Sequence, residues 1–247
     1  MLDDRADGVD RFELAQICQV AENQYVGVQS GLMDQFAESC GVQDAALLLD
    51  CRSSEWRAIT LPAELAIVVC HTGSSRKLDR SDYNVRRSQC EAAVAALAAI
   101  DPGVRSLRDA TTDLLERAGD KLDPIAARRA RHVVAENERV GQTVAALAAG
   151  DLATVGELFA ASHASLRDLF EVSSPELDAM VDIVSGVPGV VATRMTGAGF
   201  GGCTVTLVER DAIDAVRTTV EREYLARTNL TPMVLPVRAV AGAGRLA

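Results

Sequence analysis

An α+β fold is predicted by three features of this 247-residue chain. Leu65-Ala66-Ile67-Val68-Val69-Cys70-His71 is an unbroken apolar run with the length and β-branched content of a buried strand. Val190–Met195 and Cys203–Val208 are two further runs that flank a glycine-rich loop, and the second alternates Cys, Val and Leu with Thr at the strand period. Long helical periods, punctuated by Pro and Gly, fill the rest. With the inserted helices set aside, residues 65–240 read β–α–β–β–α–β, the split βαβ or ferredoxin-like order.

The elements follow in order. Residues 10–26 form an amphipathic helix with Phe12, Leu14, Ile17, Cys18 and Val20 on one side, and the chain breaks at residues 27–30. A short helix from Gly31 to Cys40 stops at Gly41. Ala45–Cys51 and Arg57–Leu61 read as two strands joined by a polar turn. After the strand at 65–71, a polar loop leads into a long helix from Ser81 to Ile100. Pro124 opens a helix that Gly150 closes. Asp151 starts another, to about Glu171, and Pro175 a third, to about Gly186. A helix over 211–227 and a strand over 233–240 complete the pattern. Residues 1–61 do not make a self-contained domain, since two helices and a hairpin leave an apolar face uncovered. The predicted division is therefore 1–61, the tail of one α+β domain, and 62–247, a second domain.

Composition excludes several function classes. Hydrophobic residues make up 48% of the chain but aromatics only 4%, so the core is built from Ala, Val and Leu. A net charge of −10, with no basic cluster larger than Arg128-Arg129 and Arg131, argues against nucleic acid or an anionic membrane as partner. Six cysteines form no CxxC pair, and the histidines are only three, so zinc is not expected. The cysteines sit in apolar periods, which suggests reduced, buried thiols in a cytoplasmic protein. No signal peptide is apparent at the start, and runs such as 92–100 are too short to span a bilayer.

Three segments carry candidate chemistry. The first is the loop Arg194-Met195-Thr196-Gly197-Ala198-Gly199-Phe200-Gly201-Gly202-Cys203. Glycine is costly to order, so four together imply unusual backbone angles or very close contact. The loop runs strand to strand, which removes the dinucleotide reading, and it lacks the Gly-Lys-Ser/Thr ending of a phosphate-cradling P-loop. Alone it is a tight connection before it is a ligand site. The second segment places Glu22 twelve residues before Asp34, which sits among Leu32, Met33 and Phe36. Alone, Asp34 is a helix-end charge. The third runs from Ser81 to Glu91, where Ser81 or Asp82 reads as an N-cap and Arg86 and Arg87 as a solvated face.

Together, GLMDQF, SDYNVRRSQCE and RMTGAGFGGC, in that order, resemble the galactokinase branch of the GHMP small-molecule kinases, and ASHASLRDLFEVSSPELD (161–178) resembles that family's helical region. The likeness runs from about residue 10 to 240. It implies an ATP-dependent kinase that phosphorylates galactose at the C1 hydroxyl in the Leloir pathway, with Mg²⁺ as cofactor. By that resemblance Asp34 is the catalytic carboxylate, Glu22 helps hold Mg²⁺, and Gly31 and Tyr83 lie against the sugar. Gly197, Gly199, Gly201 and Gly202 form the third family motif, which supports the phosphate site. The fold implied is the GHMP kinase C-terminal domain preceded by the tail of a truncated N-terminal domain.

Two family motifs have no counterpart in the chain. One carries a transition-state arginine and the Glu-His-x-Asp sugar contacts; the other is the Pro-x-x-x-Gly-Leu-Ser-Ser-Ser-Ala phosphate loop. The segment 71–77 is only superficially like the latter. The expectation is a chain that lacks the N-terminal part, is inactive alone, and leaves an apolar face open to non-native self-association. The same resemblance leaves two alternatives: a kinase for another sugar, N-acetylgalactosamine or arabinose, and a catalytically silent sugar-binding regulator.

Overall fold

A computed structural model describes residues 10–27, 31–74 and 80–243 of the chain, without the side chains of residues 80–83. Two compact units result: the described residues up to Ala63 together with those from Arg238 on, and Glu64–Val237.

In the first unit, α1 (Arg11–Ala21) starts at Asp10, whose Oδ1 accepts the Phe12 N–H at 2.6 Å. A π-helical turn, Glu22–Val26, extends it and ends at Gly27 in the left-handed region. Helix α2 (Met33–Cys40) buries Phe36 and Cys40. Strands β1 (Ala45–Leu49) and β2 (Trp56–Thr60) pair antiparallel, from Ala45 opposite Thr60 to Leu49 opposite Trp56. Their turn is organised by Asp50, whose Oδ1 accepts the N–H groups of Arg52 and Ser53 at 2.8 and 3.1 Å. Phe36 is the hub, meeting Phe12 and Trp56 edge-on at 5.8 and 5.6 Å. Around it Ala15 and Cys40 are buried, yet Ile17, Val20, Val26 and Met33 are each about half exposed or more. Cys18 and Cys51, expected to be buried, are exposed, the first because the apolar side of α1 is only partly covered and the second because it falls in the turn after β1.

The last strand is shorter than predicted, β6 (Met233–Val237), and the boundary drawn at residue 61 misses this tail. From Arg238 the chain bonds instead to the first unit. Ala239 O accepts from Asp44 N at 3.1 Å, Gly41 O accepts from Gly242 N at 2.9 Å, and Glu38 O accepts from Ala243 N at 2.6 Å. These main-chain pairs satisfy the end of α2, and the sequence pattern, which sees only apolar alternation, carries no sign of them.

The second unit is the predicted split βαβ. Strands β3 (Leu65–His71), β4 (Val190–Thr196), β5 (Cys203–Glu209) and β6 lie in the order β4-β5-β3-β6, all antiparallel. Helices are α3 (Arg80–Ala98), α4 (Thr112–Ala118), α5 (Pro124–Ala149), α6 (Leu152–Ser165), α7 (Pro175–Ser185) and α8 (Ile213–Thr228). The sheet is covered on both faces. Val68, Cys70 and Val208 join Met180 and Val184 of α7 and Val216, Val220 and Tyr224 of α8. On the other face Leu65, Ala192 and Leu207 meet Val155 of α6 and Ala146 of α5. A separate cluster packs α3, α4 and α5 together through Leu97, Leu114, Leu115, Ala130 and Val134. Helix α4 was not anticipated. Its start signal is short-range: Thr111, the N-cap, accepts the Leu114 N–H through Oγ1 at 3.2 Å.

Gly156 of α6 sits against β4, where an added Cβ would fall 2.5 Å from the Val191 carbonyl oxygen, while at Gly141 of α5 it would meet nothing within 4 Å. Helix propensity favours Ala over Gly by roughly 0.5–1 kcal/mol. Gly141→Ala is therefore expected to stabilise by about that amount. In Gly156→Ala the backbone clash outweighs the gain, and a loss of about 1–3 kcal/mol is expected. Urea unfolding midpoints of the two variants should move in opposite directions.

Candidate active site

Each unit carries part of the predicted site. In the first, Glu22 opens the π-helical turn and is half buried. The side-chain amide of Gln35, in the first turn of α2, donates to Glu22 Oε2. Asp34, one residue earlier, is exposed at the positive end of the helix dipole, where a carboxylate is favoured. Gly31 precedes α2 and faces open space, with nothing within 4 Å of an added Cβ. Gln35 thus draws Glu22 to the turn that presents Asp34. Its own Oε1 is buried and has no hydrogen-bond partner among the described residues. A carboxylate beside an orphaned amide oxygen is the oxygen-rich donor set that a hard cation accepts. No group of three His, Cys, Asp or Glu that could hold a metal occurs among the described residues. A Mg²⁺ ion here would take its other ligands from phosphate oxygens and water, which is its usual habit.

In the second unit the glycine loop joins β4 to β5. Gly197, Gly199, Gly201 and Gly202 all have positive φ, 76°, 89°, 127° and 90°, and Phe200 between them has 59°. Gly199 shows why no side chain is tolerated: an added Cβ would lie 2.2 Å from the Val172 carbonyl oxygen. That same oxygen accepts the Phe200 N–H at 2.6 Å. The loop's far end is held by Gly202 O, which accepts from Thr72 N at 2.8 Å, and Thr72 O in turn accepts from the buried Tyr224 hydroxyl at 2.9 Å. The close contact implied by the glycines is therefore made with the protein's own chain at Val172.

Tyr83 falls in the first turn of α3, and its side chain lies outside the described residues. Next along the helix, the two arginines divide. Arg87 pairs with Glu91 at 3.0 Å, both exposed, as a solvated face does. Arg86 does not: its Nε and Nη2 donate to the carbonyls of Phe170 and Glu171 at 2.7 and 2.8 Å, and its guanidinium lies 5.7 Å from the Phe200 ring centroid. The reading of both as solvated is corrected for Arg86, because unpaired carbonyls at the end of a neighbouring helical turn attract a forked cation.

Those carbonyls end the π-helical turn Leu166–Phe170 that continues α6, and Glu171 follows in the left-handed region. A second arginine meets them from α5. Arg129, 2% exposed, donates through Nε to Gln89 at 2.7 Å, through Nη1 to Leu169 O at 2.5 Å and through Nη2 to Glu171 Oε2 at 2.6 Å. The other Glu171 oxygen takes Arg128 at 2.7 Å. Hydrogen bonds from Arg129 hold the Glu171 carboxyl below its ordinary range. Sequence reasoning missed this clamp. Its signal was a basic residue inside the apolar stripe of Ala126, Ala130 and Val134.

Strand β4 is tied down just before the loop. Arg194 donates to Met195 O at 3.0 Å and to Ser162 Oγ at 2.9 Å, and Ser162 donates on to Glu136 at 2.7 Å. His163 Nδ1 accepts the Met195 N–H at 3.4 Å while Nε2 lies 3.1 Å from Asp178, an arrangement satisfied by a neutral ring. Burial lowers its pKa accordingly. His132 stacks on Phe170 at 4.5 Å and bonds Ser165 at 2.8 Å. Burial pushes His132 down to about 4.

Residues 143–226 match the family GHMP kinases C terminal. That segment is similar to the C-terminal domain of GHMP kinases. It is 47% identical to a galactokinase of Roseiflexus sp. (strain RS-1) over 234 residues, which is 95% of this chain and 60% of that protein. A crystal structure of Lactococcus lactis galactokinase complexed with galactose superposes with a TM-score of 0.92 at 35% identity, over 97% of this chain and 62% of that one. L. major mevalonate kinase shares the fold, at 19% identity and a TM-score of 0.60 over 96% of this chain and 60% of that one. The chain thus spans about 60% of the galactokinase lengths it matches.

His132 gives the domain a pH dependence. The unfolded ring titrates near 6.5 and the folded one near 4, so below pH 6.5 the unfolded chain takes up a proton that the folded chain refuses. Stability is present above pH 6.5 and falls through that window, by about 3 kcal/mol at most from this ring. Urea midpoints measured from pH 7 to 4 should fall, and His132→Asn should flatten the slope.

Proposed function

We propose that this chain belongs to an ATP-dependent galactose 1-kinase of galactose catabolism. The observation that carries this reading is the 47% identity to a galactokinase, sustained over 95% of the chain and so across both units. In this reading Asp34 accepts or orients the proton of the sugar C1 hydroxyl, a role that its exposed position on α2 suits. Tyr83 and Gly31 lie along the sugar. Glu22, drawn to α2 by Gln35, would hold Mg²⁺, with the Gln35 amide oxygen beside it. Mg²⁺ bound with ATP supplies charge neutralisation at the phosphate oxygens. Gly197, Gly199, Gly201 and Gly202 keep the loop that borders the phosphates in shape.

The absence of a long apolar helix among the described residues fits a cytoplasmic enzyme. The exposed Ile17, Val20, Val26 and Met33 support self-association of the isolated chain. Because the chain spans about 60% of the galactokinase it matches, we propose that turnover requires the remainder of that length.

A coupled assay of ADP release tests this with galactose, N-acetylgalactosamine and arabinose. It uses the chain alone and a chimera in which this chain replaces the matching part of the Roseiflexus galactokinase. The chimera should turn over galactose and the chain alone should not. Asp34→Ala in the chimera should lower kcat by about 10²–10⁴-fold while galactose still binds. Full activity in that variant would remove Asp34 from the chemistry. Preference for another sugar would make this a kinase of that sugar, and binding of galactose without turnover would make it a regulator.

A further inference from the structure

The glycine loop does not hold its shape by itself. Its central peptide is seated on one residue of another segment: the Val172 carbonyl oxygen takes the Phe200 N–H at 2.6 Å and stands 2.2 Å from where a Gly199 Cβ would be. Val172 immediately follows the carbonyls of Leu169, Phe170 and Glu171. All three are occupied by arginines from two different helices, Arg129 at Leu169 and Arg86 at Phe170 and Glu171. Arg86 also reaches the loop directly, since its guanidinium lies against the Phe200 ring at 5.7 Å. One side chain therefore holds both the seat and the residue seated on it. Phe200 has a φ of 59°, a conformation that costs a non-glycine residue about 1 kcal/mol or more, so the loop needs outside support to keep it.

We propose that Arg86 is a positioning residue that sets the glycine loop through the 170–172 backbone and the Phe200 ring. This inference rests on the kinase reading for its consequence: a loop displaced from its seat would weaken the hold on ATP rather than slow the chemistry at Asp34. A lysine cannot replace the arginine, because a single ammonium cannot bond two carbonyls in a fixed fork and also lie flat on a ring.

The test uses amide hydrogen exchange on the whole 247-residue chain, wild type and Arg86→Lys. The Phe200 amide should exchange about tenfold faster in the variant, with the buried amides of Val216 and Val220 unchanged. In the galactokinase chimera the same variant should raise the KM for ATP about tenfold with kcat within about twofold. An unchanged Phe200 exchange rate overturns the proposal, and so does a fall in kcat at constant KM. Should Arg86→Lys unfold the chain, Phe200→Leu removes only the ring. It should speed exchange at Gly199–Gly202 about threefold, and no change there also overturns the proposal. The two readings fail differently: if exchange responds but the wild-type chimera phosphorylates no sugar, the positioning stands and the kinase reading falls.

Discussion

Arg129 carries a full positive charge with 2% of its side chain exposed, and much of the second unit is arranged to make that tolerable. Burying a cation is expensive unless every donor is met. Here Gln89 from α3, the Leu169 carbonyl and the Glu171 carboxylate meet it, so α3, α5 and the turn after α6 are constrained to one mutual geometry. Breaking such a buried pair by removing one partner typically costs about 3–5 kcal/mol, several times the worth of an exposed pair such as Arg87–Glu91. The constraint reaches the glycine loop because the turn that Arg129 caps leads directly into Val172, the seat of that loop.

The neighbouring polar groups follow the same logic. His163 and Arg194 look like site residues by type, yet each is spent on fixing the strand that enters the loop: His163 on the Met195 N–H and Asp178, Arg194 on the Met195 carbonyl and Ser162. Buried histidines held neutral and arginines bonded to carbonyls orient a backbone. The carboxylates Asp34 and Glu22 of the first unit are of the opposite kind. Asp34 is exposed at a helix start, and Glu22 is half buried with an orphaned amide oxygen beside it.

Much of this was legible in the residues because it depends on local chemistry. Strand β3 and helix α5 begin and end where the apolar run, Pro124 and Gly150 say they should. The glycine loop was recognisable as a place of unusual backbone and close approach, and its strand-to-strand setting was enough to reject a dinucleotide site. Helix α4 was missed because seven residues are too few for a clear period, although its cap at Thr111 was present to be read. The tail after Val237 was misassigned because its attachment is by main-chain hydrogen bonds, which leave no mark on side-chain pattern.

By itself the sequence determined the order of strands and helices, the polar and apolar faces, and the motifs that place this chain beside galactokinases. These follow from periodicity and from residue types whose chemistry is local. Only the tertiary structure decided what the glycines touch, which of two adjacent arginines stays on the solvated face, and that Gln35 joins Glu22 to α2. The reason is physical: those facts are distances between groups far apart in the chain, such as the 84 positions between Arg86 and Phe170. A sequence names the donors and acceptors, and the folded chain alone determines which of them meet.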